Sequence, residues 1–213
     1  MNPATRLAQL SFSAGPAALL AGWLLMRPIE GGLVPGPWWT AAHVAWLAGF
    51  AMCGIMALAM RGLAGPVTGG RRVAVEALTG VALFGVAANV TQMVIDLYAG
   101  FTAVDREGMR ALYEQVKGFL GVEPVIYGLG SQLFYGALLA LAVLLAVLRR
   151  ATAVSAAVTV SGVVLLVVAT FQDGRNSELV ALGMAVMWLG TLLLGRGSST
   201  GGPGLGAATP SRA

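Results

Sequence analysis

Charge is scarce in this sequence, and so are the residues that build metal, redox and nucleophilic sites. Only 10% of its 213 residues are charged, against about 25% in an ordinary soluble domain. A separate soluble catalytic domain is therefore not expected. There is one cysteine, Cys53, so no internal disulfide can form, and no C-x-x-C or Cys/His zinc spacing exists. There is one histidine, His43, which excludes bis-histidine haem ligation within the chain. Together these residues are too few for a conventional zinc site, and neither a metal nor a cofactor is expected. The one lysine, Lys117, lies between apolar runs, so no membrane-buried lysine can form a Schiff base with retinal. The patterns G-x-x-x-x-G-K-[ST], H-E-x-x-H and G-x-S-x-G are missing. No basic-aromatic surface suggests nucleic acid.

Apolar residues fill the space: 57% are hydrophobic and the mean hydropathy is +0.81. Six runs are long enough to read as membrane spans, at 10–26, 38–60, 73–99, 126–148, 152–171 and 179–195. Backbone polar groups in lipid must be satisfied within the segment, so these spans are helices. The expected fold class is all-α, a polytopic bundle of six transmembrane helices occupying residues 1–196. The first run follows Arg6 in the manner of a signal peptide, but it is long for one and no A-x-A-like site precedes Arg27. It reads as a retained helix. Glycine is abundant at 30 residues, and small residues let membrane helices approach closely. Gly49–Cys53, Gly80–Gly85 and Gly128–Gly136 read as such contact faces.

Charge gives an orientation. With the amino terminus inside, the inner segments hold Arg6, Arg61, Arg71, Arg72, Arg149, Arg150, Arg196 and Arg212. The outer segments hold Arg27, Arg106, Arg110, Lys117 and Arg175. Lys and Arg collect on the cytoplasmic side of short loops, so both termini are expected to be cytoplasmic in a bacterial plasma membrane. The acids beyond the third span, Glu30, Asp105, Glu107, Glu114, Glu123, Asp173 and Glu178, all fall on the outer side. Phospholipid headgroups are the natural partners of the inner arginines. Trp23, Trp38 and Trp39 sit near outer boundaries, as interfacial anchors do. Residues 197–213 are rich in Gly, Ser, Thr and Pro and read as a disordered cytoplasmic tail.

The outer loops differ in kind. Residues 27–37, with Pro28, Pro35 and Pro37, read as a turn-rich connector. In 100–125, Met109, Leu112, Tyr113, Val116, Phe119 and Leu120 recur at spacings of three and four, which predicts an amphipathic helix over about 105–118. Asp105 is its expected N-cap, and Gly118 or Gly121 its stop. Such a helix lies along the interface, either as a lid or as a simple cover. The two halves show no convincing internal repeat of the inverted-transporter kind.

Polar residues inside the spans are costly and need an explanation. Asn89, Gln92 and Asp96 share one face of span three, each about one helical turn (~5.4 Å) deeper than the next. At similar depth lie His43 in span two and Tyr127, Ser131, Gln132 and Tyr135 in span four. Thr170, Gln172, Asp173 and Glu178 mark the outer ends of spans five and six. The inner half offers little beyond Thr79, Thr152, Ser155, Thr159 and Thr191. Two readings follow. The groups either hydrogen-bond across helices and tie the bundle together, or line an outward-opening cavity under the amphipathic helix. If His43 meets Asp96, the pair can transfer a proton, because imidazole titrates near neutrality.

Arg6-Leu7-Ala8 before span one, Ala42-His43 with Gly49 in span two, the pair Arg71-Arg72, and the run GSQLFYGALLALAVLLAVLRR at 130–150 carry a resemblance. The chain resembles uncharacterised six-helix membrane proteins of high-GC Gram-positive bacteria, of domain-of-unknown-function type. That resemblance implies a fold and no activity. As a compact bundle with few intramembrane acids, the chain is also similar to small all-membrane terpene cyclases. That likeness implies acid roles for Asp96 with Asp173 or Glu178. The leading functional expectation is a binding or accessory protein holding a lipid or small apolar molecule. A small-molecule transporter and a membrane enzyme on a lipid or isoprenoid, with Asp96 as its catalytic acid, are the alternatives. The expected partners are membrane lipids, a second copy of the chain or another membrane protein.

Overall fold

The computed structural model describes residues 3–29, 32–172 and 178–197. Among them there is no strand. Seven α-helices follow in order: α1 Pro3–Met26, α2 Pro37–Ala64, α3 Gly69–Thr102, α4 Arg106–Lys117, α5 Gly130–Val147, α6 Ala153–Gln172 and α7 Glu178–Gly197. A π-helix, Val122–Leu129, runs directly into α5. Six helical segments are long and apolar enough to cross a membrane, α4 being the exception. The chain is a multi-helix membrane protein.

The six spanning helices form a closed ring, with α1 beside α2, α2 beside α3, α3 beside α5, α5 beside α6, α6 beside α7, and α7 back against α1. α2 also touches α5 across the ring. Phe50, Met56, Met60, Phe134, Leu141 and Leu145 fill the centre. Burial of apolar surface does not drive helix association in lipid, because the tails are equally apolar; close backbone approach and hydrogen bonds do.

Glycine provides that approach, though at positions the sequence only partly reveals. A Cβ on Gly85 would stand 2.5 Å from the backbone nitrogen of Phe134, so α3 and α5 touch there backbone to backbone. Gly49 does the same for α1 and α2, against the Leu19 nitrogen at 3.1 Å and the Gly15 carbonyl at 3.2 Å. The α6–α7 pair is tighter. Gly162 abuts Met187, Gly183 abuts Leu166 and Gly190 abuts Thr159, each with backbone under 3.0 Å from where a Cβ would lie. Gly80 and Gly136, expected at contact faces, have nothing within 4 Å, and Gly128 meets only the Glu123 carbonyl of its own π-helix. Helical phase puts all three away from the neighbouring helices.

The amphipathic helix is present. Its N-cap is Asp105, whose Oδ1 accepts from the Gly108 N–H at 2.8 Å, and Gly118 caps its C-terminus. Met109 and Tyr113 are buried against Trp39 and Ala99. α4 lies outside the spans, so burying Met109 there contributes about 1.5–3 kcal/mol. Phe119 and Leu120, expected to continue its apolar face, lie past Lys117 and project outward. Asp105→Ala should cost about 1 kcal/mol, the usual worth of an N-cap. Hydrogen exchange would detect it as about fivefold faster exchange across 106–117, with the spans unchanged. Unchanged protection of α4 would show that the cap is not what holds this helix.

Two tryptophans depart from the expected anchoring role. Trp38 is exposed, but Trp23 and Trp39 are buried in the bundle. The tail expected from Gly197 onward lies, beyond that residue, outside the described residues.

Candidate functional site

Asp96 is at the centre of the polar cluster and is only 4% exposed. Three other elements converge on it. From α4, the Tyr113 hydroxyl donates to Oδ1 at 2.6 Å. From the π-helix, the Tyr127 hydroxyl donates to the same oxygen at 3.1 Å. From α2, His43 Nε2 stands 3.5 Å from Oδ2. The Trp39 indole N–H donates to the Asp96 main-chain carbonyl at 2.9 Å, which ties α2 to α3 independently of the carboxylate.

His43 is equally enclosed. Its Nδ1 faces the Trp39 carbonyl at 2.7 Å. A carbonyl only accepts, so Nδ1 carries the hydrogen. Nε2 then offers Asp96 either a lone pair or a second N–H. Trp39 stacks on the imidazole at 4.0 Å between centroids, and Trp46 meets it edge-on at 5.1 Å. Trp46 is itself anchored by donating to the Leu19 carbonyl at 2.9 Å.

Burial, and then the Asp96 carboxylate beside it, push the Tyr113 phenol well above the ordinary tyrosine range. Tyr113 therefore stays a hydroxyl donor at any physiological pH.

A second layer lies deeper. Ser131 donates to Asn89 Oδ1 at 2.6 Å, and the Asn89 amide donates to the Gly85 carbonyl at 2.7 Å. α3 and α5 run antiparallel, so depth matches depth. Asn89 and Asp96 are seven residues apart, about 10.5 Å along a helix, whereas Ser131 and Tyr127 are four apart, about 6 Å. The long tyrosine side chain covers the difference.

The remaining candidates separate. Gln92 is half-buried and makes no side-chain hydrogen bond with a described residue. Gln132 is exposed on the outside of the bundle. Tyr135 packs against Phe134 in the core, 5.0 Å between centroids, away from the Asp96 partners. Glu178 is exposed and pairs with Arg27. Asp173 lies outside the described residues, as do the side chains of Phe171 and Gln172.

The polar groups of the opposite half are tied to their own helices. Thr79 donates to the Val75 carbonyl at 2.7 Å and Thr159 to the Ser155 carbonyl at 2.9 Å. Thr191 donates to the Trp188 carbonyl at 2.9 Å, and Thr152 with Ser155 caps α6. Among the described residues no group of three His, Cys, Asp or Glu side chains is placed to hold a metal ion.

Tyr113, Trp39 and Trp46 are the site residues that sequence reasoning misses. Tyr113 reads as part of an apolar stripe. Its hydroxyl was the available signal, because a buried phenol needs an acceptor.

No family model matches the chain, and no curated protein or solved structure matches it.

Proposed function

We propose that the chain is a bacterial plasma-membrane binding protein, with both termini cytoplasmic and the α4 end outward. In this reading Asp96 receives the polar head of a lipid or other amphiphile when α4 lifts. The charge distribution along the loops supports the orientation, and the resemblance to six-helix proteins of Gram-positive bacteria supports the setting. The observation that carries the binding role is the Tyr113 hydrogen bond. A carboxylate within the span is closed over by one phenol from a twelve-residue amphipathic helix lying outside the spans. Removing that phenol uncovers an acceptor walled by Tyr127, His43 and Trp39. The displacing head must itself donate, so the ligand is an amphiphile bearing a hydroxyl or an amine. Transport is less favoured, since the polar groups of the opposite half bond within their own helices and offer no second acceptor site.

Native mass spectrometry of the protein in mild detergent tests this. The wild type should carry about one donor-headed amphiphile per chain, which Asp96→Leu, lacking any acceptor there, loses. Tyr113→Phe should exchange it several-fold faster and cost about 1 kcal/mol of stability, within the range for hydrogen bonds in membrane proteins. A clean apo mass for the wild type, with the cluster still needed for stability, would reduce the site to a helix tie.

A further inference from the structure

At the end of the bundle opposite α4, arginine outnumbers acid. Glu76 is the only carboxylate in the sequence near that end, and Arg61 holds it with two hydrogen bonds, 2.7 and 2.8 Å long. Arg71, Arg149 and Arg150 have no described acid within ion-pair distance, and Arg72 feels Glu76 electrostatically but makes no ion pair with it. Arg149 and Arg150 sit on the turn joining α5 to α6, and Arg71 and Arg72 in the first turn of α3, just after the turn joining α2 to α3. The two turns carry the apolar residues Val67, Leu148 and Ala151, which pack on the same core. The turns meet where the Arg150 guanidinium crosses Gly65, which has φ +67. A side chain on Gly65 would approach that guanidinium to 3.2 Å.

Arg149 adds a separate observation. It is the one non-glycine residue with positive φ among the described residues, at 57°. It follows the C-cap of α5, a position where glycine is normally found, because a Cβ there is strained. An arginine kept in a glycine conformation points to a use for its charge.

We propose that these two turns form a seat for the phosphodiester of an anionic phospholipid. Arg149 and Arg150 are its main donors, and Arg71 and Arg72 flank them. The span ends place these guanidinium groups at headgroup level, which is where a lipid phosphate lies and a soluble anion does not concentrate. The planar fork of arginine matches two phosphate oxygens. The seat holds whichever leaflet this end occupies, and it is independent of the Asp96 reading.

The test uses the full chain in nanodiscs containing phosphatidylglycerol and phosphatidylcholine, with retained lipids counted by native mass spectrometry. The wild type should prefer phosphatidylglycerol, and each arginine removed from the seat should lower the preference about fivefold. Arg149→Gly is the informative variant, because it relieves the backbone strain as it removes the charge. Its melting temperature should not fall while its lipid preference does. Arg150→Gln should behave likewise in lipid preference, and Arg150→Lys should recover part of it. Arg110→Gln removes the same charge from the exposed face of α4 and should leave the preference unchanged. Equal retention of both lipids by the wild type would overturn the proposal, as would an equal loss in Arg110→Gln. Displacement of phosphatidylglycerol by millimolar inorganic phosphate would also overturn it, reassigning the seat to a soluble anion.

Discussion

Asp96→Leu should destabilise the protein by about 3 kcal/mol, read as an earlier midpoint in detergent-driven unfolding from mixed micelles. The substitution places an apolar residue of similar size in the span, so nothing is lost in insertion. It deprives the Tyr113 and Tyr127 hydroxyls of their shared acceptor and leaves the imidazole of His43 facing hydrocarbon. Single hydrogen bonds in membrane proteins average only about 0.6 kcal/mol. The larger figure arises because two phenol donors from two different elements are orphaned together and the His43 imidazole loses its polar neighbour, and an unmet buried donor costs about 1–3 kcal/mol. The Trp39 bond survives, since it is made to the Asp96 main chain. Asp96→Asn is the companion variant. It keeps Oδ1 as acceptor for both phenols and should lose less than about 1 kcal/mol. Wild-type stability in Asp96→Leu would mean that the carboxylate neither holds α4 closed nor adds to the α2–α3 tie, and the site reading would fall with it.

Gly162→Ala should be as damaging, at about 3 kcal/mol. The added methyl would lie under 3.0 Å from the main chain of Met187, and backbone cannot swing aside as the tip of a side chain can. α6 and α7 would have to separate along their length, undoing the parallel contacts at Gly183 and Gly190. The same substitution at Gly136 provides the contrast, because nothing lies within 4 Å of a Cβ there. In that helix interior alanine is favoured over glycine by about 0.5–1 kcal/mol, so Gly136→Ala should be neutral or mildly stabilising. Opposite signs for one chemical change would establish that α6–α7 packing rests on backbone approach. A neutral Gly162→Ala would show that the two helices stand farther apart.

Much of the site was visible as helical phase and little of it as partnership. Asn89 and Asp96 share a face at a spacing of seven, and Tyr127 and Ser131 share one at a spacing of four, so each pair is readable from the chain. That Ser131 meets Asn89 while Tyr127 meets Asp96 follows from the antiparallel match of depths between α3 and α5. Gln132 and Tyr135 illustrate the limit. They are neighbours of Ser131 in sequence, yet one faces outward and the other enters the core. The rotation of α5 about its own axis decides this. A helix that is apolar on nearly every side, in an apolar solvent, has no polar face from which that rotation can be read.

Composition and periodicity alone determined that this is an all-helical membrane bundle, where its six spans run, and that an amphipathic helix capped by Asp105 interrupts them. Those features are local: span length is set by bilayer thickness, and a cap or an apolar stripe is written within a dozen residues. Only the tertiary structure decided that His43 and Asp96 adjoin, that Tyr113 closes over them, and that Gly162, Gly183 and Gly190 rather than Gly80 and Gly136 carry close contacts. Each depends on how one helix is rotated and paired against another. In lipid that choice is made by backbone contact and hydrogen bonding between residues far apart in the chain, whose pairing no single segment encodes.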